Sequence, residues 1–206
     1  IARWRQGQEG GLVSARLRRW NLAVWRETSW DETLTGQGIR LRAPTLSDYE
    51  DWAKLRGASR AHTEPWEPAW TSDELSKGAF RRRIDRYQAD RDAGLGYPFF
   101  VVRARDDVLL GACNLNNVRR GVLQSADVGY WIGSPYVRKG HTRAAVRRVL
   151  AFAFDEVRLQ RVEAACQPNT AASRTLLEQV GLVPAGRPRP PPHLAGPWRA
   201  RDRLPT

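Results

Sequence analysis

The sequence contains no methionine and only two cysteines, Cys113 and Cys166. Two thiols are too few for a disulfide framework or a zinc cage, so a reducing, cytoplasmic setting is expected. Lysine is nearly absent. It occurs only at Lys54, Lys77 and Lys139, and arginine carries the rest of the positive charge. Histidine is confined to His62, His141 and His193, and no metal triad is visible among them. Long apolar runs are missing too. Val149 to Phe154 is about the longest, against the roughly 18 to 20 residues a bilayer-spanning helix needs. No charged-then-apolar stretch opens the chain, so a secretion signal is not supported. A start without methionine reads as a fragment or as translated upstream sequence.

What is present is a globular composition. Of 206 residues, 41% are hydrophobic and 27% charged, which excludes a disordered chain. The length favours one domain with an extension. Lys+Arg total 34 against 22 Asp+Glu, a net charge of +12. That surplus suits a polyanion: nucleic acid, an acidic surface or a phosphate-rich cofactor. It is uneven. Arg138, Lys139, Arg143, Arg147, Arg148, Arg158 and Arg161 crowd one stretch, with Asp155 and Glu156 opposed. Arg187, Arg189, Arg199, Arg201 and Arg203 crowd the end, where a solvated face is an equal reading.

Residues 1–37 show weak periodicity and are expected to form a poorly ordered leader, with one short amphipathic helix over Leu17 to Trp25. From Gly38 the pattern sharpens. Ile39 to Arg42 alternates as a half-buried strand. Thr45-x-x-Asp48 starts a helix that buries Trp52 and Leu55. A loop rich in Pro and Trp, Thr63 to Trp70, follows. Thr71-x-x-Glu74 is expected to cap a second helix to about Asp92, with Leu75, Phe80, Ile84 and Tyr87 inward. Tyr97 to Val102, Val108 to Leu115 and Gln124 to Ile132 read as strands, the first two joined by a turn at Asp106-Asp107. Gly140 to Phe154 is a helix, Arg161 to Cys166 a strand, and Asn169 caps a last helix to Val180, stopped by Gly181. The order predicts a mixed α/β domain with helices on a central sheet. Residues 187–206 form a Pro/Arg-rich tail whose Pro190 to Pro192 forbid an interior strand.

The chemistry concentrates in Gly129 to Val146, where a strand runs through a short loop into a helix with a basic first turn. Unpaired amides at a helix N-terminus attract anions, and Gly140 allows a phosphate close to the backbone. An ordinary strand-to-helix turn is the alternative.

Three pieces in order then resemble the GCN5-related N-acetyltransferase (GNAT) family, over about residues 38–186. They are Ile39-Arg-Leu-Arg-Ala-Pro with Asp48-Tyr-x-x-Trp52, then Gly129-Tyr-Trp-Ile with its loop to Gly140, then Arg161 to Gly181. Within the family, the likeness is to the branch that acetylates the N-terminal alanine of a ribosomal protein. The resemblance implies the acyl-CoA N-acyltransferase fold, a mixed, mostly antiparallel sheet flanked by helices. It implies acetyl-CoA as co-substrate, with no metal. Arg138, Lys139, Gly140, His141, Thr142 and Arg143 would cradle the pyrophosphate. Trp131, Ile132 and Gly133 would pair with pantetheine where the sheet splays, and Asn169 would bond the same arm or act simply as a cap. The family loop reads Gln/Arg-x-x-Gly-x-Gly/Ala. Val137 and Thr142 depart from it, and Thr142 adds bulk where close approach is wanted.

Acetyl transfer needs a neutral amine, a polarised carbonyl and a stabilised thiolate. By the resemblance, Ser173 is the tentative acid, and Glu163 the nearest base, with a structural carboxylate as its alternative. Trp66, Glu67 and Trp70, with Glu64 nearby, would face the acceptor, or anchor the loop. Cys113 and Cys166 read as buried apolar residues. The acceptor is expected to be a protein N-terminus, ribosomal or other, or a small amine. A CoA-binding relic without activity stays open, as does a basic RNA-associated module, though no RNA-binding motif is visible. A monomer or homodimer is expected.

Overall fold

The computed structural model describes residues 2–4, 34–166 and 171–184. Eight strands form one sheet: β1 (Ala2–Trp4), β2 (Leu34–Gly36), β3 (Ile39–Arg42), β4 (Phe100–Arg103), β5 (Leu109–Arg119), β6 (Ser125–Ile132), β7 (Arg161–Ala164) and β8 (Val183–Pro184). Their order is β2-β3-β4-β5-β6-β7-β1-β8. Every pairing is antiparallel except β6 with β7. The helices are α1 (Tyr49–Ala58), α2 (Arg60–Thr63), α3 (Lys77–Asp92), α4 (His141–Ala151) and α5 (Ala171–Gln179).

Strand alternation divides the core in two. Val101, Leu110, Val128 and Val162 meet Val146 and Val149 of α4 and Leu177 of α5. Phe100, Val102 and Ala112 meet Trp52 and Leu55 of α1 and Phe80 and Ile84 of α3. Adjacent residues of β6 therefore serve opposite faces: Tyr130 packs beneath α4 and α5, Trp131 beneath α1 and α3. Trp52 and Phe80 stack with centroids 4.7 Å apart. Each fully buried side chain of this size contributes about 1.5–3 kcal/mol.

Local chemistry sets the boundaries. Asp48 accepts the Thr45 amide at 2.7 Å and its hydroxyl at 3.0 Å, as the sequence predicts for this start. The same carboxylate takes both guanidinium nitrogens of Arg42. Gly181 has φ +86°, and the Gly181 and Leu182 amides bond Glu178 and Leu177 carbonyls at 3.0 and 2.9 Å, the expected left-handed stop of α5.

Three expectations shift. The helix assigned to a Thr71 cap starts at Lys77, because the Ser76 hydroxyl accepts the Ala79 amide at 3.0 Å. Thr71 bonds Asp73, and Glu74 pairs with Arg83. The helix from Gly140 ends at Ala151 and continues as one π-helical turn, Phe152–Glu156. Regular structure precedes Gly38. Leu34–Gly36 pairs with Ile39–Leu41 across a two-residue turn in which Gln37 and Gly38 both have positive φ, and Leu34 enters the core. Ala2–Trp4 pairs with β7 and β8. The amphipathic segment at Leu17, the residue Asn169, His193 and the tail at 187–206 lie outside the described residues.

Candidate active site

The parallel pair β6–β7 stops early. Ser125, Ala126 and Asp127 pair with Arg161, Val162 and Glu163, and no ladder continues from Val128 onward. On its other edge β6 stays paired with β5 as far as Ile132. The stretch from Val128 to Ile132 thus has a main-chain edge open toward β7, the place where an extended arm can pair as a strand does. Trp131 and Ile132 lie on that stretch. Gly133 does not share it. Its amide bonds the Leu110 carbonyl at 2.8 Å and its carbonyl accepts the Tyr136 amide at 2.9 Å. A Cβ there would lie 2.4 Å from Leu55 Cδ1, so Gly133 lets the end of β6 press against α1.

From Gly133 the loop makes a short 3-10 turn, Ser134–Tyr136, and is tied to α1 by the Ser134 amide donating to Ser59 Oγ at 2.9 Å. Arg138 and Gly140 both adopt the left-handed region, φ +59° and +79°. Gly140 is the N-cap of α4, and no side chain caps that helix. The Ala144 amide makes the first intrahelical bond, to Gly140. The amides of His141, Thr142 and Arg143 are therefore left for an anion, at the positive end of the helix dipole. Val137 and Thr142 leave this backbone path intact. The basic side chains divide. Arg143 reaches Gln179 of α5 at 3.3 Å. Lys139 turns back to the Pro135 carbonyl at 3.0 Å. Partial burial, then Lys139 and Arg103, hold the His141 imidazole below its ordinary pKa.

Beneath the open edge, Tyr130 Oη and Ser173 Oγ form a hydrogen bond of 2.7 Å. Burial pushes the Tyr130 phenol up to about 12, with Cys113 and Cys166 close enough to add to the shift and the Ser173 bond opposing it. The phenol thus stays protonated at neutral pH, with its hydroxyl held against Ser173 Oγ. Cys113 is fully buried, and that burial raises its thiol pKa, consistent with a packing role. Tyr130 escaped the sequence reading, although the Gly-Tyr-Trp-Ile alternation placed it on the face opposite Trp131.

On the other face, Arg56 is only 5% exposed. It donates both terminal nitrogens to Glu67 at 2.9 and 2.6 Å. Its guanidinium lies 4.7 Å from the Trp70 ring centre and 4.9 Å from that of Trp131. Trp70 Nε1 also donates to Glu67, at 3.3 Å. Trp70 is thus largely engaged within the protein. Trp66 is 41% exposed and its ring is open to a ligand. Glu163 stands where β6 and β7 are still paired, 3.2 Å from Arg161 and 3.8 Å from Arg119, which also holds Asp127 at 2.9 Å. Two guanidinium groups around it favour the structural reading of that carboxylate over a base. Sequence reasoning also missed Arg56, Arg119 and Asp127. No spacing rule joins them to their partners, which sit on other elements.

Among the described residues, no group of His, Cys, Asp and Glu is placed to hold a metal, and no helix is long and apolar enough to cross a membrane. Comparison with known proteins agrees with the geometry. The model of the acetyltransferase (GNAT) domain family matches residues 39–183. The probable N-acetyltransferase YjcK of Bacillus subtilis is 32% identical over 171 residues, 83% of this chain and 94% of that protein. The ribosomal protein uS5-alanine N-acetyltransferase of Escherichia coli is 23% identical, over 78% of this chain and 84% of its own length. Mycobacterium smegmatis RimJ, solved in complex with CoA-disulfide, superposes with a TM-score of 0.68 at 30% identity, covering 72% of this chain and 71% of that one. The chain belongs to the GNAT acetyltransferases, as an N-acetyltransferase that uses acetyl-CoA.

Proposed function

We propose that the acceptor is the N-terminal α-amine of a protein, in the manner of the ribosomal-protein acetyltransferases it resembles. Acetyl-CoA supplies the activated acyl group. The amides of His141 to Arg143 hold the pyrophosphate, with Arg143 adding charge. The open edge at Trp131 and Ile132 orients the pantetheine arm so that the thioester lies over Ser173. The Tyr130 phenol donates to Ser173 Oγ, which turns the serine proton outward. Ser173 then donates to the departing sulfur as the carbon–sulfur bond breaks and the carbon–nitrogen bond forms. The proton shed by the acceptor nitrogen restores the Ser173 hydroxyl. The acceptor enters from the opposite face, along the wall of Trp66, Glu67, Trp70 and Trp131, where an exposed indole offers stacking to a peptide.

The transfer step rests on the 2.7 Å Tyr130–Ser173 bond beneath the unpaired stretch of β6, and the choice of acceptor rests on the likeness to the ribosomal-protein enzyme and on the exposed Trp66. The test is thiol release from acetyl-CoA with an alanine-starting peptide, with the acetylated position read by fragmentation mass spectrometry. Acetyl at the α-amine supports it. Turnover only with small amines, or none above the chemical background, overturns it.

A further inference from the structure

The phosphate loop has a second flank. On the side of β6 away from β7, Gly38, Arg103, Ala104, Arg105, Lys139 and His141 line an open cleft of about 470 Å³. Its floor is two turns drawn together by the Ala104 amide, which bonds the Gly38 carbonyl at 3.0 Å. These turns join β2 to β3 and β4 to β5, all on the β5 side of β6. The β6–β7 gap lies on the other side, where Arg143 reaches α5. The cleft and the gap therefore lie on opposite sides of β6 and share only the phosphate loop, at Lys139 and His141.

The cleft is built with surplus positive charge. Arg103 donates to Asp106 at 2.7 Å, and Arg105 lies 3.4 Å from the same carboxylate. One acid thus serves two guanidinium groups. The neighbouring Asp107 is taken by Arg40. Lys139 donates to the Pro135 carbonyl and pairs with no acid among the described residues. The Tyr136 ring centre lies 6.0 Å from the Arg103 guanidinium and 5.8 Å from the Lys139 ammonium. The Arg105 side chain is 76% exposed, so most of its fork is open to a ligand. Forked guanidinium groups beside an ammonium match an anion with several oxygens better than a lone carboxylate.

We propose that this cleft is a second anion site, which takes a diphosphate-sized group of a small phosphorylated ligand other than the bound acetyl-CoA. The His141 imidazole on its wall is held below its ordinary pKa first by partial burial, with Lys139 and Arg103 adding to the shift. The chemistry alone admits two sources of phosphate, a separate ligand or the cofactor's own 3′-phosphate, and the experiment separates them.

Inorganic pyrophosphate is titrated calorimetrically into the whole chain saturated with either CoA or dephospho-CoA, at constant ionic strength in chloride. The expected result is one equivalent bound by both complexes. Arg105→Ala then weakens pyrophosphate at least tenfold and leaves CoA affinity unchanged. Binding by the dephospho-CoA complex alone assigns the cleft to the cofactor's 3′-phosphate and overturns the proposal. Binding by neither complex, or binding that Arg105→Ala does not weaken, overturns it as well. Failure of CoA itself to bind would count against the cofactor site and not against the cleft.

Discussion

The two faces of the sheet solve different problems with different materials. Under α4 and α5, the site consists of backbone amides, an open strand edge and two hydroxyl side chains, Tyr130 and Ser173. Under α1 and α3, it consists of long side chains: a buried arginine, a glutamate and three indoles, two of them stacked on that arginine. In the proposed reading the first set meets features every acetyl-CoA shares, a diphosphate and an amide-rich arm, and main-chain geometry suffices for them. In the same reading the second set faces the acceptor. Side chains can be exchanged there without moving the strands, so this is the half where acceptor preference is free to vary.

Mutations sharpen that contrast when they damage one face and spare the other. Gly140→Asp should have the largest effect. It forces a side chain onto a backbone at φ +79° and puts a carboxylate where the pyrophosphate sits. CoA affinity should fall about a hundredfold, roughly 2.7 kcal/mol, with the peptide KM unchanged in steady-state assays. A comparable rise in the peptide KM would break the division.

Arg56→Ala works the opposite face. It empties the Trp70–Trp131 sandwich and strips Glu67 of its bidentate partner. Partly exposed Glu67 tempers the penalty, so urea unfolding should show a loss of about 2 kcal/mol. CoA binding by the folded variant should match wild type.

Tyr130→Phe is smaller and more selective. It removes one hydrogen bond, about 1–1.5 kcal/mol, so kcat should drop roughly tenfold. The Kd for CoA should not change, and Ser173→Ala in the same background should add little, because the two hydroxyls act as one unit. Independent, multiplicative losses would separate them.

The smallest effect lies away from both faces, at Asp48. Burial alone raises its carboxyl, but Arg42 and the Thr45 amide and hydroxyl outweigh this and hold it below the usual range. A carboxyl depressed in the folded state stabilises fully above its unfolded pKa. That contribution is lost as pH falls through the folded value. Asp48→Asn should therefore cost about 1 kcal/mol at neutral pH, a difference that closes on acidification below about pH 4. A gap that persists in acid would assign the loss to packing.

Much of the cofactor half was legible in the chain because its signals are local. The strand, Gly140 and the basic helix start follow one another directly, and the turn that shapes an anion cradle spans a few residues. The structure adds that Gly133 serves the contact with α1. The acceptor half was half-legible. Its loop, with Trp66, Glu67 and Trp70, stands out in the sequence by composition. That Arg56, on the preceding helix, would occupy the space between Trp70 and Trp131 could not be read, since a stacked guanidinium needs only proximity and leaves no spacing in sequence. Glu163 shows the same limit. Its strand was evident, but the guanidinium groups around it come from β5 and from its own strand.

By itself the sequence determined the alternating strands, the caps at Thr45 and Gly181 and the glycine-led helix, each fixed by interactions within a few residues. The tertiary structure alone decided which side chains met: Tyr130 with Ser173 and Arg56 with the indoles, while Arg103, Arg105 and Lys139 came to line one cleft. Those contacts join residues remote along the chain, so their existence depends on where parallel pairing of β6 and β7 ends and on which face each strand residue takes.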